Sequence, residues 1–193
     1  MKARFNIEKF RKLSTEHLVL RKIYEEDTRD IYENIYKDYD WHKYAFPERV
    51  GSISECHTLM RKQLYRFGCG EHLVWGVTEK HRDKVIGIVS LFALDNGKNC
   101  CKMGCMMSCN HAGKGYAKEA ASKVMNFAFR ELNIRKIQIE IVSENVPSLR
   151  LAKKLKMQYE STKEGSYRLG DVVLDERVFF KLNPNCFPKR KKK

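Results

Sequence analysis

The chain has 193 residues, 42% of them hydrophobic and 32% charged, with a formal net charge of +14. That composition suits one soluble domain with a sizeable core and small extensions, and no apolar run reaches the ~18 residues that span a bilayer, so no membrane role is expected. The N-terminus Met1-Lys2-Ala3-Arg4-Phe5-Asn6 is basic with no apolar stretch behind it, unlike a signal peptide, and 7 cysteines, an odd number without small-scaffold spacing, fit reduced thiols in a cytoplasm.

Residues 1–16 read as a polar extension or short helix, and His17 to Tyr24 as the first strand. Glu25-Glu26-Asp27 supplies negative charge where a helix N-terminus favours it, and the i,i+4 pairs Ile31/Ile35 and Tyr32/Tyr36 predict a helix after it. From Asp38 to Gly51 the periodicity breaks. Tyr39, Trp41, Tyr44, Phe46 and Pro47 make an aromatic loop that either lines a substrate groove or caps the core. Ser52 with Glu55 three residues on is a capping-box pattern, opening a helix that ends near Gly68 and Gly70.

Three strands follow: Leu73 to Thr78, the nearly all-apolar and therefore central Val85 to Phe92, and Asn99 to Ser108 after a hairpin turn at Asp95-Asn96-Gly97-Lys98. The next helix places Ala117, Ala120, Ala121, Val124, Met125, Ala128 and Leu132 on one face. Lys136 to Val142 alternates as a strand. Ser143 to Ser148 turns into a short helix with Pro147 near its first turn. Gln158–Leu169 and Val172–Leu182 close the chain as a hairpin across Gly170-Asp171. Residues 183–193 read as a disordered basic tail. Lys189 to Lys193 hold five of the positive charges and leave +9 elsewhere. That excess favours polyanionic neighbours such as RNA or a ribosome surface, although a basic protein binding only a small anion fits the charge equally well. No repeat or second domain is visible.

The chemistry concentrates at Cys109-Asn110-His111-Ala112-Gly113-Lys114-Gly115-Tyr116-Ala117, between a strand and the clearest amphipathic helix. Glycine lets an anion approach the backbone, and the first N–H groups of a helix lack intrahelical partners at the positive end of its dipole, so the stretch makes a phosphate seat. A dinucleotide fingerprint would need its third glycine at Lys118, and no glycine precedes Lys-Ser or Lys-Thr as in a Walker loop. Glycines that merely turn a strand into a helix remain an alternative. Cys100, Cys101, Cys105 and Cys109 lie along a strand whose side chains alternate between faces, so no metal is expected there.

Several of these residues also carry a family resemblance. Asn110-x-x-Gly113-Lys114-Gly115-Tyr116-Ala117 resembles the acyl-CoA loop of the GNAT acetyltransferases, Gln/Arg-x-x-Gly-x-Gly/Ala. Asn145-x-x-Ser148 followed by Leu155-Lys156-Met157 is similar to the family's Asn-x-x-Ser/Ala and Leu-Gly-Phe signature. Leu13 to Arg21 resembles the Thr-Glu-Arg-Leu-x-Leu-Arg opening of the branch that includes ribosomal-protein N-terminal acetyltransferases, and Gly170-Asp171 and Asp175 fit its closing hairpin. The resemblance spans residues 13–182, with 1–12 as an extension and 183–193 as the tail. It implies an α/β fold, a mixed, mostly antiparallel, splayed sheet of about seven strands with helices on both faces. The chain departs from the pattern at Asn110, at Lys156-Met157, and at Ala152, where many members place a tyrosine acid.

What the resemblance implies for function is acetyl transfer from acetyl-CoA to a primary amine by direct attack. Gly113, Lys114, Gly115, Tyr116 and Ala117 would take the pyrophosphate, with Ser148, Arg150 and Lys153 near enough to help. Met107, Ser108 and Cys109 would line the pantetheine arm. A bulge is implied there, with the Met107 backbone N–H as oxyanion donor and Asn145 binding the arm or the amine. Glu144 and Glu140 are the candidate bases. An α-amine, with a pKa of about 8, needs less help than a lysine near 10.4. The preferred acceptor is thus a protein N-terminus, ribosomal by the charge argument. Polyamine or aminoglycoside acetylation is the alternative, as is a non-catalytic acyl-CoA- or RNA-binding module. Whether the chain is a monomer or a dimer stays open.

Overall fold

A computed structural model describes residues 3–46 and 48–186. In chain order its strands are β1 (Leu13–Ser14), β2 (Leu18–Lys22), β3 (Leu73–Glu79), β4 (Arg82–Asp95), β5 (Cys100–Met107), β6 (Lys136–Val142), β7 (Gln158–Leu169) and β8 (Val172–Leu182). They form one sheet ordered β1-β2-β3-β4-β5-β6-β8-β7, antiparallel except where β5 meets β6. The strand beyond the seven expected is β1. It exists because the Thr15 hydroxyl accepts the Leu18 N–H at 3.0 Å and turns the chain back on itself.

Helices α1 (Thr28–Ile31), α2 (Tyr39–His42), α3 (Ile53–Gly68), α4 (Tyr116–Arg130) and α5 (Val146–Lys154) cover both faces, as expected. On one face α4 buries Ala120, Ala121, Val124 and Ala128 against Trp75, Val89 and Ile137. On the other, Ile31, Ile35, Cys56 and Met60 close over Ile23, Val85 and Ile88. β4 is apolar because both of its faces are covered. The i,i+4 pairs at 31–36 belong to one α turn that widens into a π-helical turn at Tyr32–Tyr36, a spacing that periodicity does not separate from an α-helix. Ser52 caps α3 as read, accepting the Glu55 N–H at 3.2 Å, while the Glu55 carboxylate reaches back to the Gly51 N–H at 2.8 Å.

The opening motif has a structural account. Leu18 and Leu20 are fully buried. Arg21 forks onto Asp27 with both guanidinium Nη atoms at 2.8 Å, and Asp27 also accepts the Tyr24 N–H at 2.8 Å. The Lys156-Met157 departure is equally legible. Lys156 has φ +55°, the left-handed conformation that favours glycine. It ends α5 in a Schellman motif, with Lys156 N–H on Lys153 O and Met157 N–H on Ala152 O. Met157 is buried where the family pattern has phenylalanine.

Packing continues on either side of residues 13–182. Phe5 is buried and donates its N–H to Gly70 O at 2.7 Å. Asn183 is buried, its amide nitrogen donating to Phe129 O and Ile134 O. The basic run Lys189–Lys193 lies outside the described residues.

Removing Asp27 breaks the buried fork and leaves the Arg21 guanidinium only its exposed partner Asp83, which its Nε meets at 2.6 Å. Asp27→Ala is therefore expected to cost about 3 kcal/mol, seen as a melting temperature roughly 6–12 °C lower. Asp27→Leu with Arg21→Met should recover most of that loss; a single variant as stable as wild type would refute the account. Lys156→Gly relieves left-handed strain and should stabilise by about 0.5–1 kcal/mol. A lower melting temperature for Lys156→Gly would show that the lysine side chain outweighs its backbone cost.

Candidate active site

The site begins where strand pairing stops. β5 pairs with β6 only through Cys100–Lys136, Cys101–Ile137 and Lys102–Gln138. Beyond these the strands diverge, and a groove of about 310 Å³ opens between them. Leu151 of α5 and Leu155 at its C-cap line one side of it, and Phe92, Tyr44 and Phe46 the other. From Phe92–Lys102 to Gly87–Met107 β5 stays in regular register with β4, and the one register shift of that pair lies at its other end, between Phe92 and Asp95. The splay is therefore present without the bulge expected near Met107: what β5 loses is its partner on the far side.

The ladder decides which backbone groups face this opening. Ser108 donates its N–H to Ile86 O at 2.8 Å. Antiparallel bonding alternates, so Met106 and Gly104 also point toward β4, while Met103, Cys105 and Met107 point into the splay. On the facing strand, Ser143 bonds Asp175 O at 2.9 Å, which by the same alternation turns the backbone of Glu140 and Val142 toward the gap. Met107 presents both an N–H and a carbonyl to the open side. Its carbonyl is taken by Trp41, whose indole Nε1 donates to it at 3.1 Å.

The glycine loop follows directly. Gly113 (φ +80°) and Gly115 (φ +84°) are left-handed, and no heavy atom lies within 4 Å of where either would carry a Cβ. Gly115 caps α4 with no side chain, and the first helical bond runs from Glu119 N–H to Gly115 O at 3.0 Å. The N–H groups of Tyr116, Ala117 and Lys118 thus stand at an uncapped positive helix end. The helix start is held from outside. The Glu119 carboxylate takes the His17 backbone N–H at 2.9 Å and meets His17 Nδ1 at 3.0 Å, and the Tyr116 hydroxyl donates to Glu79 at 3.0 Å.

Asn145 and Ser148 line the groove together. Asn145 is the N-cap of α5, its Oδ1 accepting the Ser148 N–H at 3.1 Å. Glu144 is exposed on the turn and is not among the lining residues. Glu140 does line the groove, but Lys102 Nζ and Lys163 Nζ sit on the same carboxylate oxygen at 2.7 and 2.6 Å. Burial pushes its pKa up, and the two lysines outweigh burial and hold it below the ordinary carboxylate range. Glu140 is ionised and weakly basic. Met107, Ser108, Cys109 and Gly113 to Ala117 lie past the groove's end rather than in its lining. Burial pushes the Cys101 and Cys105 thiols up to about 12. A hydrogen bond with Asp38, then burial, raises that of Cys109, so none of the three is poised as a thiolate.

Sequence reasoning missed the far wall of the groove. Phe92, Tyr167 and Glu176 come to it from three separate strands, and the Tyr167 hydroxyl donates to Lys43 O. The aromatic loop was the one available signal, and its Tyr44 and Phe46 do line the groove.

Against known proteins, residues 17–158 match the acetyltransferase (GNAT) domain family. The uncharacterized N-acetyltransferase p20 of Bacillus licheniformis is 29% identical over 167 residues, 86% of this chain and 93% of its own. The ribosomal-protein-S5-alanine acetyltransferase of Vibrio fischeri superposes with a TM-score of 0.79 at 17% identity, over 90% of this chain and 97% of that one. The spermidine N-acetyltransferase of Vibrio cholerae, solved with CoA and spermine, gives 0.76 at 20% identity, over 88% and 97%. The two structural likenesses show a shared fold, and the domain match places this chain in the GNAT acetyltransferase family.

Proposed function

We propose that this GNAT N-acetyltransferase takes acetyl-CoA as donor and acetylates the α-amine of a protein N-terminus by direct attack. The observation that carries the reading is a continuous backbone path. The backbone of Cys105 and the N–H of Met107, turned away from β4 and beyond the reach of β6, lead along β5 to an uncapped helix end at Gly115. That path suits an extended, amide-rich arm ending in a pyrophosphate. The N–H groups from Gly113 to Ala117, with Lys114, would hold the phosphates, while Ser108 and Cys109 flank the passage. Asn145 offers its amide nitrogen, which makes no hydrogen bond to the described residues, to the arm or to the incoming amine. Ser148 stands beside it.

In the reaction the neutral amine nitrogen attacks the thioester carbonyl, and the Met107 N–H steadies the oxygen as charge develops. The C–S bond then breaks, thiolate leaves, and the amine proton passes to solvent. Glu140 is too weakly basic to drive this step, which favours an acceptor that is already partly neutral. An α-amine with a pKa of about 8 meets that condition and a lysine near 10.4 does not. The +14 charge supports a ribosome- or RNA-associated acceptor. A second reading, a small cationic amine, is favoured by the Glu176 carboxylate among the aromatic rings Tyr44, Phe92 and Tyr167.

Acetyl-CoA should raise the melting temperature selectively over adenosine. Gly115→Glu should lower affinity at least about tenfold by bringing negative charge to the phosphate seat, at a folding cost of only about 1–2 kcal/mol for the left-handed position. Unchanged affinity in that variant would move the seat elsewhere. Thiol release should separate the acceptors. With an N-terminal peptide, kcat/KM should rise with pH to a plateau above about 8, whereas a side-chain or polyamine acceptor should keep rising toward 10. Turnover of polyamines but not peptides would favour the second reading.

A further inference from the structure

On the reading just given, an arm running from the glycine loop into the groove must pass Met107. On β5 the groove's lining ends at Met106, and the next carbonyl is covered by the Trp41 indole. Trp41 belongs to the same short segment as Tyr44, Ala45 and Phe46, which form the groove's far wall. That segment is tied down at two points: Trp41 on Met107 O, and Lys43 O under the Tyr167 hydroxyl. The amides of an extended arm need the strand's carbonyl acceptors as well as its N–H donors, so the arm and Trp41 compete for one oxygen.

A second observation marks this junction as unsettled. Each residue of the contact is followed in sequence by a buried polar atom without a hydrogen-bond partner among the described residues: His42 Nε2 after Trp41, and Ser108 Oγ after Met107. Both side chains are buried. Orphaned groups of this kind are rare in settled packing and favour a junction that rearranges when a ligand arrives.

We infer that Trp41 is a positioning residue, a placeholder on the Met107 carbonyl that yields to the cofactor arm and thereby resets the wall against which the acceptor amine docks.

The chain provides its own reporter. It has 2 tryptophans. Trp75 is fully buried and donates to Arg11 O at 3.0 Å, whereas Trp41 is 41% exposed. Titration of acetyl-CoA into the full chain should shift emission to longer wavelength as the Trp41 indole leaves for solvent. Adenosine 3′,5′-bisphosphate, which carries phosphates without the arm, should bind without that shift. Trp41→Phe keeps a ring but loses the N–H. It should abolish the shift, bind acetyl-CoA about threefold to tenfold more tightly, and raise the acceptor KM. A merely structural residue would not improve one constant while worsening the other.

If the wild type binds and turns over acetyl-CoA with constant emission, the inference fails and the proposed function stands. It also fails if the arm-less nucleotide produces the same shift, or if Trp41→Phe leaves both constants unchanged. If acetyl-CoA does not bind the wild type at millimolar concentration, both readings fall. Should Trp41→Phe not fold, the two wild-type titrations decide the matter alone.

Discussion

The rest of the site depends on β5 keeping one neighbour and losing the other. A strand inside a sheet normally spends its N–H and carbonyl groups on both sides, and buried backbone groups without partners are costly. Here the pairing with β4 runs to Met107 while that with β6 ends at Lys102. The strand thus leaves the core with one edge satisfied and the other open, in the interior of the sheet rather than at its rim. An internal open edge can bind an extended chain while the sheet around it stays rigid. Leu151 of α5 and Leu155 at its C-cap line the gap between the two strands, so the helix that brings Asn145 and Ser148 also helps keep the strands apart.

The same sheet orients the helix that would bind phosphate. An uncapped N-terminus attracts an anion only if it is held where the strand delivers the ligand. Two anchors hold α4, the Glu119–His17 contacts and the Tyr116–Glu79 bond, and they come from β3 and from the residue just before β2. Within a few residues the chain supplies His17 for the helix, Leu18 and Leu20 for the core, and Arg21 for Asp27. A motif far from the glycine loop in sequence therefore braces that loop in space. Its residues line no part of the groove, and what they fix is the placement of α4.

Elements whose signal is local were legible in the residues. The periodicity of Ala117 to Leu132 marked α4, the alternation of Lys136 to Val142 marked β6, and Ser52 with Glu55 marked the start of α3. The glycine pair marked the loop because positive φ has few other tenants. What was not legible rests on distant pairs. Trp41 meets a carbonyl 66 positions away, and the far wall of the groove draws on the α2 segment, β4, β7 and β8. Glu140 was, with Glu144, only a candidate base in the residues. Only the fold brings Lys102 and Lys163 onto it from β5 and β7, and that pairing turns it from a proton acceptor into a fixed charge. The splay could be anticipated from resemblance, but not the absence of a bulge, because register belongs to the ladder.

A site made largely of main chain explains why the chain can depart from its family's pattern and still present the same surface. Asn110 stands where glutamine or arginine is usual, yet the groups that would meet an anion there are N–H donors whose directions follow from Gly113, Gly115 and the α4 axis. Lys156 stands where glycine is usual, and the chain adopts the same left-handed turn at a strain cost of about 1–2 kcal/mol. Side-chain identity is free to drift wherever the backbone does the binding. It is constrained where a side chain must complete the backbone's hydrogen bonds, as Asn145 does for Ser148 and as Trp41 does for Met107. Of those two, only Asn145 belongs to the family's signature. On the proposed reading, Trp41 is therefore where this chain's own specificity would enter a shared donor site, because its segment also lines the groove through Tyr44, Ala45 and Phe46.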